Sequence, residues 1–286
     1  MNEISVVMVA YNAEIFISEA IESVLKQSFS DFEFIIVDDG STDNTKKIIR
    51  SYTDSRIRVV ENRHNYIESL NLGIDNARRK YIARMDADDI MHIDRLKIQY
   101  SIMEEEPGIT VCSSWMSPFG ENISRGSVSQ SVSGFVENPL LLFLKGNFIF
   151  HPTTMIRSNF LRKHLLQYEN YEYAEDYKLW VDTTKKGGNF YIEPQPLLFY
   201  RVSKQQISNV KKDLQNNTSG RIKKEILDYL MLLNSEKFAS IKKVADAMWS
   251  AKNEKIMDDN DIFSFFYSMF MKNRNFLITG HNMHLL

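Results

Sequence analysis

Three carboxylates follow an apolar segment in "YIARMDADD", at Asp86, Asp88 and Asp89. In an extended strand the side chains of Asp86 and Asp88 share one face, and Asp89 points to the other. Like charges this close repel each other, and a divalent cation removes the conflict. Oxygen ligands in an open site suit Mg²⁺ or Mn²⁺, with a phosphate-bearing substrate completing the coordination shell. For this segment alone, an acidic surface turn that caps the next helix is the alternative.

A second acidic pair, Asp38 and Asp39, ends the apolar segment "FEFIIVDD". Residues 40–42 (Gly-Ser-Thr) suit a tight turn into the N-terminus of a helix. A carboxylate at this position can accept a hydrogen bond from a nucleobase N–H or from a ribose hydroxyl. The alternative is again a helix cap, a role that Asp43 could fill without the pair.

Alternating strands and helices position both acidic groups. The hydrophobic pattern predicts strands at 4–10, 32–39, 57–62 and 81–86, and helices at 13–27, 41–52, 66–79 and 92–107. Such alternation is typical of a parallel sheet with helices on both faces. Because right-handed crossovers bring the carboxyl ends of the strands to one edge, both acidic groups are expected there, where ligands of such sheets bind.

The second half of the chain is less regular. After residue 108 the pattern predicts, in chain order, a strand at 109–120, a Ser- and Gly-rich loop at 120–135, a helix at 175–188, a strand-turn-strand unit at 190–203, a polar hinge at 211–220 and helices over 221–286.

The composition of the chain argues against several classes of function. The chain has 286 residues, 43% hydrophobic and 25% charged, with a formal net charge of −2, which gives no argument for nucleic-acid binding. Cys112 is the single cysteine, so an intrachain disulfide and a cysteine-based zinc cluster are excluded. No signal peptide and no apolar stretch long enough to span a bilayer are recognised, so a cytoplasmic location is expected.

Three ordered segments carry a family resemblance: "ISVVMVAYN", "FEFIIVDDGSTDNT" and "YIARMDADD". Together they resemble the nucleotide-binding half of family 2 glycosyltransferases, closely over 3–105. The likeness continues more weakly through "HPTTMIR", "YAEDYKLW" and "LLFYRVSKQQIS" to about residue 210. It implies the GT-A fold, a Rossmann-like, mostly parallel sheet with helices on both faces, here followed by a helical C-terminal extension. It also implies Mn²⁺- or Mg²⁺-dependent, inverting transfer from a nucleotide sugar, with UDP as the expected nucleotide. The acceptor would be a hydroxyl of a glycan, a lipid-linked glycan or a glycoprotein.

The resemblance also assigns residues to the nucleotide and the metal. In the DxD motif, Asp88 would bind the metal, and Asp86 would face the ribose or the metal. The remaining nucleotide-binding positions that it implies are Ala10, Tyr11, Asn12, Glu14, Asp38, Asp39, Arg63 and Ala87.

The catalytic base is implied in the same way. The family's acidic pair corresponds to Glu175 and Asp176, with Asp176 as the base and Glu175 as an orienting group; an acidic first helical turn favoured by the helix dipole is the alternative. His151 could approach the metal or acceptor, or be a buried structural histidine. Trp180 could stack on a sugar, although core packing is the commoner use. Ser203 stands where many relatives carry a histidine that reaches the donor phosphates, so Arg201 or Lys204 could serve instead.

The resemblance divides the chain into three parts. Residues 1–105 would bind the nucleotide sugar, 106–215 would supply the acceptor site and the base, and 216–286 would form a helical extension. This extension could mediate self-association, lie on a membrane surface or only cover the catalytic domain. Membrane contact would place the protein peripherally at the inner membrane face.

The sequence lacks the motifs that three rival enzyme functions would need. A dinucleotide oxidoreductase would need GxGxxG after the first strand, but "VAYNAE" has no glycine. A nucleotidyltransferase would need a Gly-rich, basic loop there, and an aspartyl phosphotransferase would be expected to carry its acidic motif on the first strand. A degenerate family member that acts as a scaffold or glycan-binding partner stays open.

Overall fold

The computed structural model describes residues 3–120, 132–202, 211–234 and 239–273. The strands in this part are β1 (Ile4–Ala10), β2 (Phe32–Asp38), β3 (Ile57–Glu61), β4 (Tyr81–Asp86), β5 (Ile90–Met91), β6 (Val111–Gly120), β7 (Gly134–Phe135), β8 (Met155–Arg157) and β9 (Phe190–Val202). The helices are α1 (Ile17–Leu25), α2 (Thr45–Ser51), α3 (Tyr66–Asn76), α4 (Arg95–Glu105), α5 (Pro139–Phe143), α6 (Ser158–His164), α7 (Glu175–Lys185), α8 (Lys212–Leu233), α9 (Ala239–Asn253) and α10 (Asp259–Lys272), with a 3₁₀ turn at His151–Thr153.

One sheet contains all of these strands, in the order β3-β2-β1-β4-β8-β6-β9-β5, with β7 paired to β9. Strands β1 to β4 are parallel neighbours, so their carboxyl ends meet at one edge, as the alternation predicts. Strand β8 runs antiparallel to both β4 and β6 and joins the two halves of the sheet. The α/β architecture is confirmed, and the second half of the sheet is mixed rather than parallel.

Hydrophobic layers cover both faces of the sheet. On one face Val7 of β1 packs with Leu70 of α3, and on the other Val6 packs with Ile21 of α1. A Cβ at Gly73 would lie 2.4 Å from Cγ1 of Val7, so only glycine lets α3 approach this closely. The strand alternation therefore fixes which face each helix covers.

Strand β9 corrects one prediction. The segment 190–203 was expected to form two strands and a turn, but β9 is continuous from Phe190 to Val202. Its pairing with β6 changes register at the prolines, where Ser114 lies opposite Glu193 and Trp115 opposite Pro196. Proline cannot donate to the ladder, and an irregularity in the register accommodates it without ending the strand.

Helix α8 corrects a second prediction. The polar segment 211–220 was expected to be a hinge, but α8 begins at Lys212 and continues through it. Ile222 and Ile226 of this helix are buried in the core, and Gln215 donates to the carbonyl of Tyr173 at 3.0 Å. Packing of the helix on the domain thus overrides the low helix propensity of its Asn, Ser and Gly residues.

The C-terminal helices pack on the domain. Phe263, Phe266 and Phe270 of α10 are buried in the same cluster as Trp180 of α7, whereas Phe265 is 44% exposed. Among the described residues, no helix is both long and apolar enough to cross a membrane. Residues 121–131 of the predicted loop and 274–286 of the predicted helical tail lie outside the described residues. The division into three parts, self-association and membrane contact stay predictions.

Candidate active site

The loops after β1 and β2 are joined to each other. Asn12 adopts a left-handed conformation (φ 46°), and its Oδ1 accepts from the backbone N–H of Thr42 at 2.8 Å. Oε2 of Glu14 accepts from the backbone N–H and side-chain amide of Asn44, at 2.9 and 2.8 Å. Ala10 is fully buried and contributes its carbonyl to this junction. Three of the predicted nucleotide contacts therefore shape the edge at which the strands end.

Asp38 and Asp39 are buried beside this junction. Oδ1 of Asp39 accepts from the backbone N–H of Asn65 and the hydroxyl of Ser69, both at 2.7 Å. Oδ1 of Asp38 accepts from the backbone N–H of Ser41 at 3.2 Å. The pair therefore does not cap α2. A separate carboxylate, Asp43, accepts from the backbone N–H of Thr45 at 2.9 Å, at the start of that helix.

An exposed aromatic pair lies above Asp39. The rings of Tyr11 and His64 are stacked, with centroids 3.9 Å apart and planes inclined by 22°. Nδ1 of His64 lies 3.3 Å from Oδ2 of Asp39. Arg63, another predicted nucleotide contact, is exposed next to this pair. A flat apolar surface beside a carboxylate is what a nucleobase needs for stacking and for a hydrogen bond from a ring N–H.

Asp86, Asp88 and Asp89 converge at the end of β4. One carboxylate oxygen from each lies within 4.8 Å of the others. The expectation that Asp89 points away is wrong, because β4 ends at Asp86 and a turn at residues 87–88 breaks the alternation. Ala87 is nearly buried in that turn. Since Asp89 is 1% exposed, the acidic surface turn is also excluded.

The acidic cluster fits a divalent cation. Burial and the neighbouring Asp86 raise the pKa of Asp88 to about 6, and the same causes, with Asp88 added, raise the pKa of Asp89 well above its usual value. Oδ1 of Asp89 accepts from the backbone N–H of Arg201 at 2.8 Å. Oδ2 of Asp89 is buried and has no hydrogen-bond partner among the described residues. Three carboxylates this close together, one of them with an oxygen that is not hydrogen-bonded within the described residues, are a donor set for Mg²⁺ or Mn²⁺.

Arg201 fixes the turn that carries this cluster. Its Nε donates to the carbonyl of Asp88 at 2.6 Å, and its guanidinium pairs with Glu19 of α1. The same group lies over the rings of Phe16 and Phe119, 4.3 and 4.5 Å from their centroids. A direct contact of Arg201 with the donor stays a prediction.

Glu175 and Asp176 form the first turn of α7. Burial raises the pKa of Asp176 to about 6, opposed by hydrogen bonds from the backbone N–H of Tyr177 and the amide of Asn147, which lie 2.7 and 2.8 Å from its oxygens. Burial and the charge of Asp176 raise the pKa of Glu175 to about 7. Carboxyls with pKa values near neutrality suit proton transfer at physiological pH.

His151 and Trp180 lie behind the acidic pair. Nε2 of His151 is 2.6 Å from the hydroxyl of Tyr168, and burial lowers the pKa of His151 well below its usual value. Trp180 is fully buried, with its ring 6.2 Å from that of His151 and 6.5 Å from that of Phe190. Of the two alternatives for Trp180, the structure therefore shows core packing, the commoner use, and not an exposed ring that could stack on a sugar.

Comparison with known proteins identifies the family. The model of glycosyl transferase family 2 matches residues 5–165. The chain belongs to this family. An uncharacterized glycosyltransferase of Haemophilus influenzae is 36% identical, over 80% of this chain and 74% of the relative. This protein is therefore a glycosyltransferase.

Two further comparisons bear on the fold and the substrate. WfgD of Escherichia coli, a UDP-Glc:alpha-D-GlcNAc-diphosphoundecaprenol beta-1,3-glucosyltransferase, is 37% identical over 35% of this chain and 40% of its own. The crystal structure of S. aureus TarS 1–349 in complex with UDP-GlcNAc matches with a TM-score of 0.62 at 20% identity, over 84% of this chain and 76% of TarS. The glycosyltransferase has the GT-A fold.

Sequence reasoning missed several polar groups of the site. Arg84 is buried in β4 and contacts both Asp86 and the hydroxyl of Tyr66. Asn147 and Tyr168 contact Asp176 and His151, respectively. The signal for Arg84 was present, because a charged residue interrupts an otherwise apolar strand in "YIARMD". Tyr66, Asn147 and Tyr168 have no sequence pattern that distinguishes them from ordinary surface or core residues.

Proposed function

We propose that this glycosyltransferase is a metal-dependent, inverting enzyme that transfers the sugar of a UDP-sugar to a hydroxyl of a glycan and releases UDP, with a lipid-linked glycan as the preferred acceptor class. The observation that carries the proposal is the convergence of the carboxylates of Asp86, Asp88 and Asp89 at the sheet edge, where one oxygen of Asp89 is buried without a partner among the described residues. Beside it, Glu175 and Asp176 have pKa values close to neutrality.

The nucleotide would bind over the ends of β1 and β2. Tyr11 is 42% exposed and presents an aromatic face, and Asp39 lies beneath it as an acceptor for a base N–H. Stacking supplies affinity for any base, and a carboxylate acceptor selects bases that carry a ring N–H, such as uracil. UDP-GlcNAc in the related TarS structure supports a uridine nucleotide.

Asp88 and Asp89 would hold the metal, with Asp86 turned to the metal or the ribose. When bound, a divalent cation stabilises the negative charge of the diphosphate leaving group. Arg201 would keep these carboxylates in place for the cation, because its backbone N–H binds the carboxylate of Asp89 and its Nε binds the carbonyl of Asp88.

Asp176 would take the proton of the acceptor hydroxyl as it attacks the sugar. Its Oδ2 is held by Asn147, which leaves a lone pair of the carboxylate for the acceptor. A single displacement by this route inverts the anomeric centre, whereas retention needs a second step, by the logic established for glycoside hydrolases. The lipid-linked acceptor rests on the name of the E. coli relative, whose acceptor is a diphosphoundecaprenol-linked sugar.

Calorimetric titration tests the donor half of the proposal. The purified protein is titrated with UDP, ADP, GDP, UDP-glucose and UDP-GlcNAc, each with Mn²⁺ and with EDTA. Metal-dependent binding of UDP, tightened by one of the two sugars, is expected. Failure of every compound to bind in Mn²⁺ would refute the proposal and favour the degenerate scaffold.

A further inference from the structure

Arg84 is a buried cation in the middle of β4, with a side chain that is 4% exposed. Its guanidinium donates to Oδ1 of Asp86 and, at 3.0 Å, to the hydroxyl of Tyr66. Its backbone N–H donates to the carbonyl of Thr154, and its own carbonyl accepts from Nη2 of Arg95, both at 2.9 Å. Because a charge at this depth is stable only where partners replace water, its place and direction are fixed.

Tyr66 sits at the boundary between this buried charge and solvent. About two fifths of Tyr66 is exposed, while its hydroxyl lies against the guanidinium of Arg84. Tyr66 is the first residue of α3, the helix whose start is tied to Asp39 through Asn65 and Ser69. The contact of Tyr66 with Arg84 therefore connects the nucleotide edge to the interior of the site.

Carboxylates from two elements face Arg84. Its positive charge opposes the rise in the pKa of Asp88 and Asp89, which lie on the turn after β4. It acts in the same direction on the pKa of Glu175 and Asp176, which begin α7. One buried guanidinium thus pairs directly with Asp86 and also favours the charged forms of the proposed base and its neighbour.

A second buried arginine shows what a purely structural role looks like. Arg95 is fully buried, and its guanidinium donates to Oε1 of Gln99 and to the carbonyls of Arg84 and Thr154. Among the described residues, no carboxylate is hydrogen-bonded to it. Arg84 differs because it is paired with a carboxylate of the site itself.

We propose that Arg84, held by Tyr66, is a positioning residue that orients Asp86 and couples the donor carboxylates to the acidic pair Glu175 and Asp176. This inference rests on the proposed function, and it adds a residue that is not among the predicted site residues. The cation holds Asp86 in one orientation for the donor. It also favours the charged form of Asp176, which is the form that accepts a proton.

The groups that act on Asp176 come from every element around it. Arg84 faces it from β4, Tyr168 from the segment before α7, and Glu175 and Tyr177 from α7 itself. Arg84 is the cation in this set, so its removal must raise the pKa of Asp176. The fall of kcat at low pH, which is the acid limb of its pH profile, would then begin at a higher pH.

The test is hydrolysis of UDP-glucose and UDP-GlcNAc in Mn²⁺, with kcat and KM measured from pH 5.5 to 9. For Arg84→Met we expect an acid limb about one pH unit higher, the lower end of the effect of a close opposite charge. With the pKa of Asp176 at about 6 in the wild type, the loss of kcat is then about fivefold greater at pH 6 than at pH 8.5. For Tyr66→Phe we expect a threefold to tenfold loss of kcat, the effect of losing about one hydrogen bond. The acid limb should not move, because the positive charge of Arg84 remains.

Arg157→Met is the matched control. Arg157 donates to a tyrosine hydroxyl, that of Tyr81, and to the carbonyls of Ile109 and Met103, away from the site. It should lower the melting temperature and leave kcat, KM and the pH profile of the folded protein unchanged.

Three results would settle the inference. An acid limb in Arg84→Met identical to that of the wild type would overturn it, even with sugar transfer proven. If Arg84→Met does not fold, an unchanged kcat in Tyr66→Phe overturns it equally. A wild type that neither binds nor hydrolyses either UDP-sugar would instead refute the proposed function.

Discussion

The two carboxylate groups of the site are held by different kinds of partner. The cluster after β4 is held by arginines, because Arg84 pairs with Asp86 and the backbone and side chain of Arg201 bind Asp89 and the carbonyl of Asp88. It lies on a turn, and its three carboxylates lie within 4.8 Å of one another.

The acidic pair of α7 is held by neutral donors instead. Asp176 accepts from the amide of Asn147 and from the backbone N–H of Tyr177. Both Asp176 and Glu175 have pKa values raised toward neutrality by burial.

The different partners suit the two carboxylate groups to different tasks, cation binding and proton transfer. A cluster of crowded carboxylates, with one buried oxygen that lacks a partner in the described part of the chain, is stabilised in its charged form by a cation. A carboxylate that is held by neutral donors and titrates near neutrality can exchange a proton without a metal. The two groups should therefore respond differently to substitution, to metal and to pH.

Asp176→Asn should give the largest effect and separates the two groups most sharply. The amide keeps the shape and the contact with Asn147 but cannot accept the proton, so turnover should fall by about 10²–10⁴-fold. Mn²⁺-dependent UDP binding, measured by calorimetry, should stay within about twofold, since Asp176 does not belong to the acidic cluster. Near-normal transfer by this variant would show that another group is the base.

Asp88→Asn should affect the acidic cluster after β4 rather than the acidic pair of α7. It removes one negative charge from the cluster, so Mn²⁺-dependent UDP binding should weaken by at least about tenfold. Calorimetry with UDP at several Mn²⁺ concentrations measures this loss. Equal UDP affinity for the variant and the wild type would exclude Asp88 as a metal ligand.

The pH profile sharpens the assignment of the base. Because the pKa of Asp176 is raised to about 6 and that of Glu175 to about 7, kcat should fall as the pH drops below this window. Ionised carboxylate is the active form, and protonation on the acid side removes it, so the loss occurs at low pH. An acid limb near pH 4, typical of an unperturbed carboxyl, would contradict the assignment.

Asn147→Ala should give the smallest effect. It removes a 2.8 Å hydrogen bond to Asp176, for which a net loss of ~1 kcal/mol, or about fivefold in kcat, is expected. The pKa of Asp176 should rise, since this bond favours its charged form. UDP affinity serves as the control, and a change in UDP affinity without one in kcat would place Asn147 on the donor side.

Part of this site could be predicted from the sequence alone. The carboxylates of "FEFIIVDD" and "YIARMDADD" end apolar segments, and parallel strands bring such ends to one edge. The same reasoning failed at Asp89, because it extended the strand alternation into a turn that begins directly after Asp86. It also placed a hinge at 211–220, where burial of Ile222 and Ile226 keeps α8 helical.

The sequence by itself determined the alternation of strands and helices and the acidic groups at the strand ends. These features are local, since they depend on side-chain period and on residue type within a few positions. Only the tertiary structure decided that Trp180 is buried, that Arg201 fixes the turn at Asp88, and that the buried Arg84 pairs with Asp86 and Tyr66. The contact of Arg201 with Asp88 spans 113 positions of the chain, and no local pattern encodes which distant segment packs against a strand.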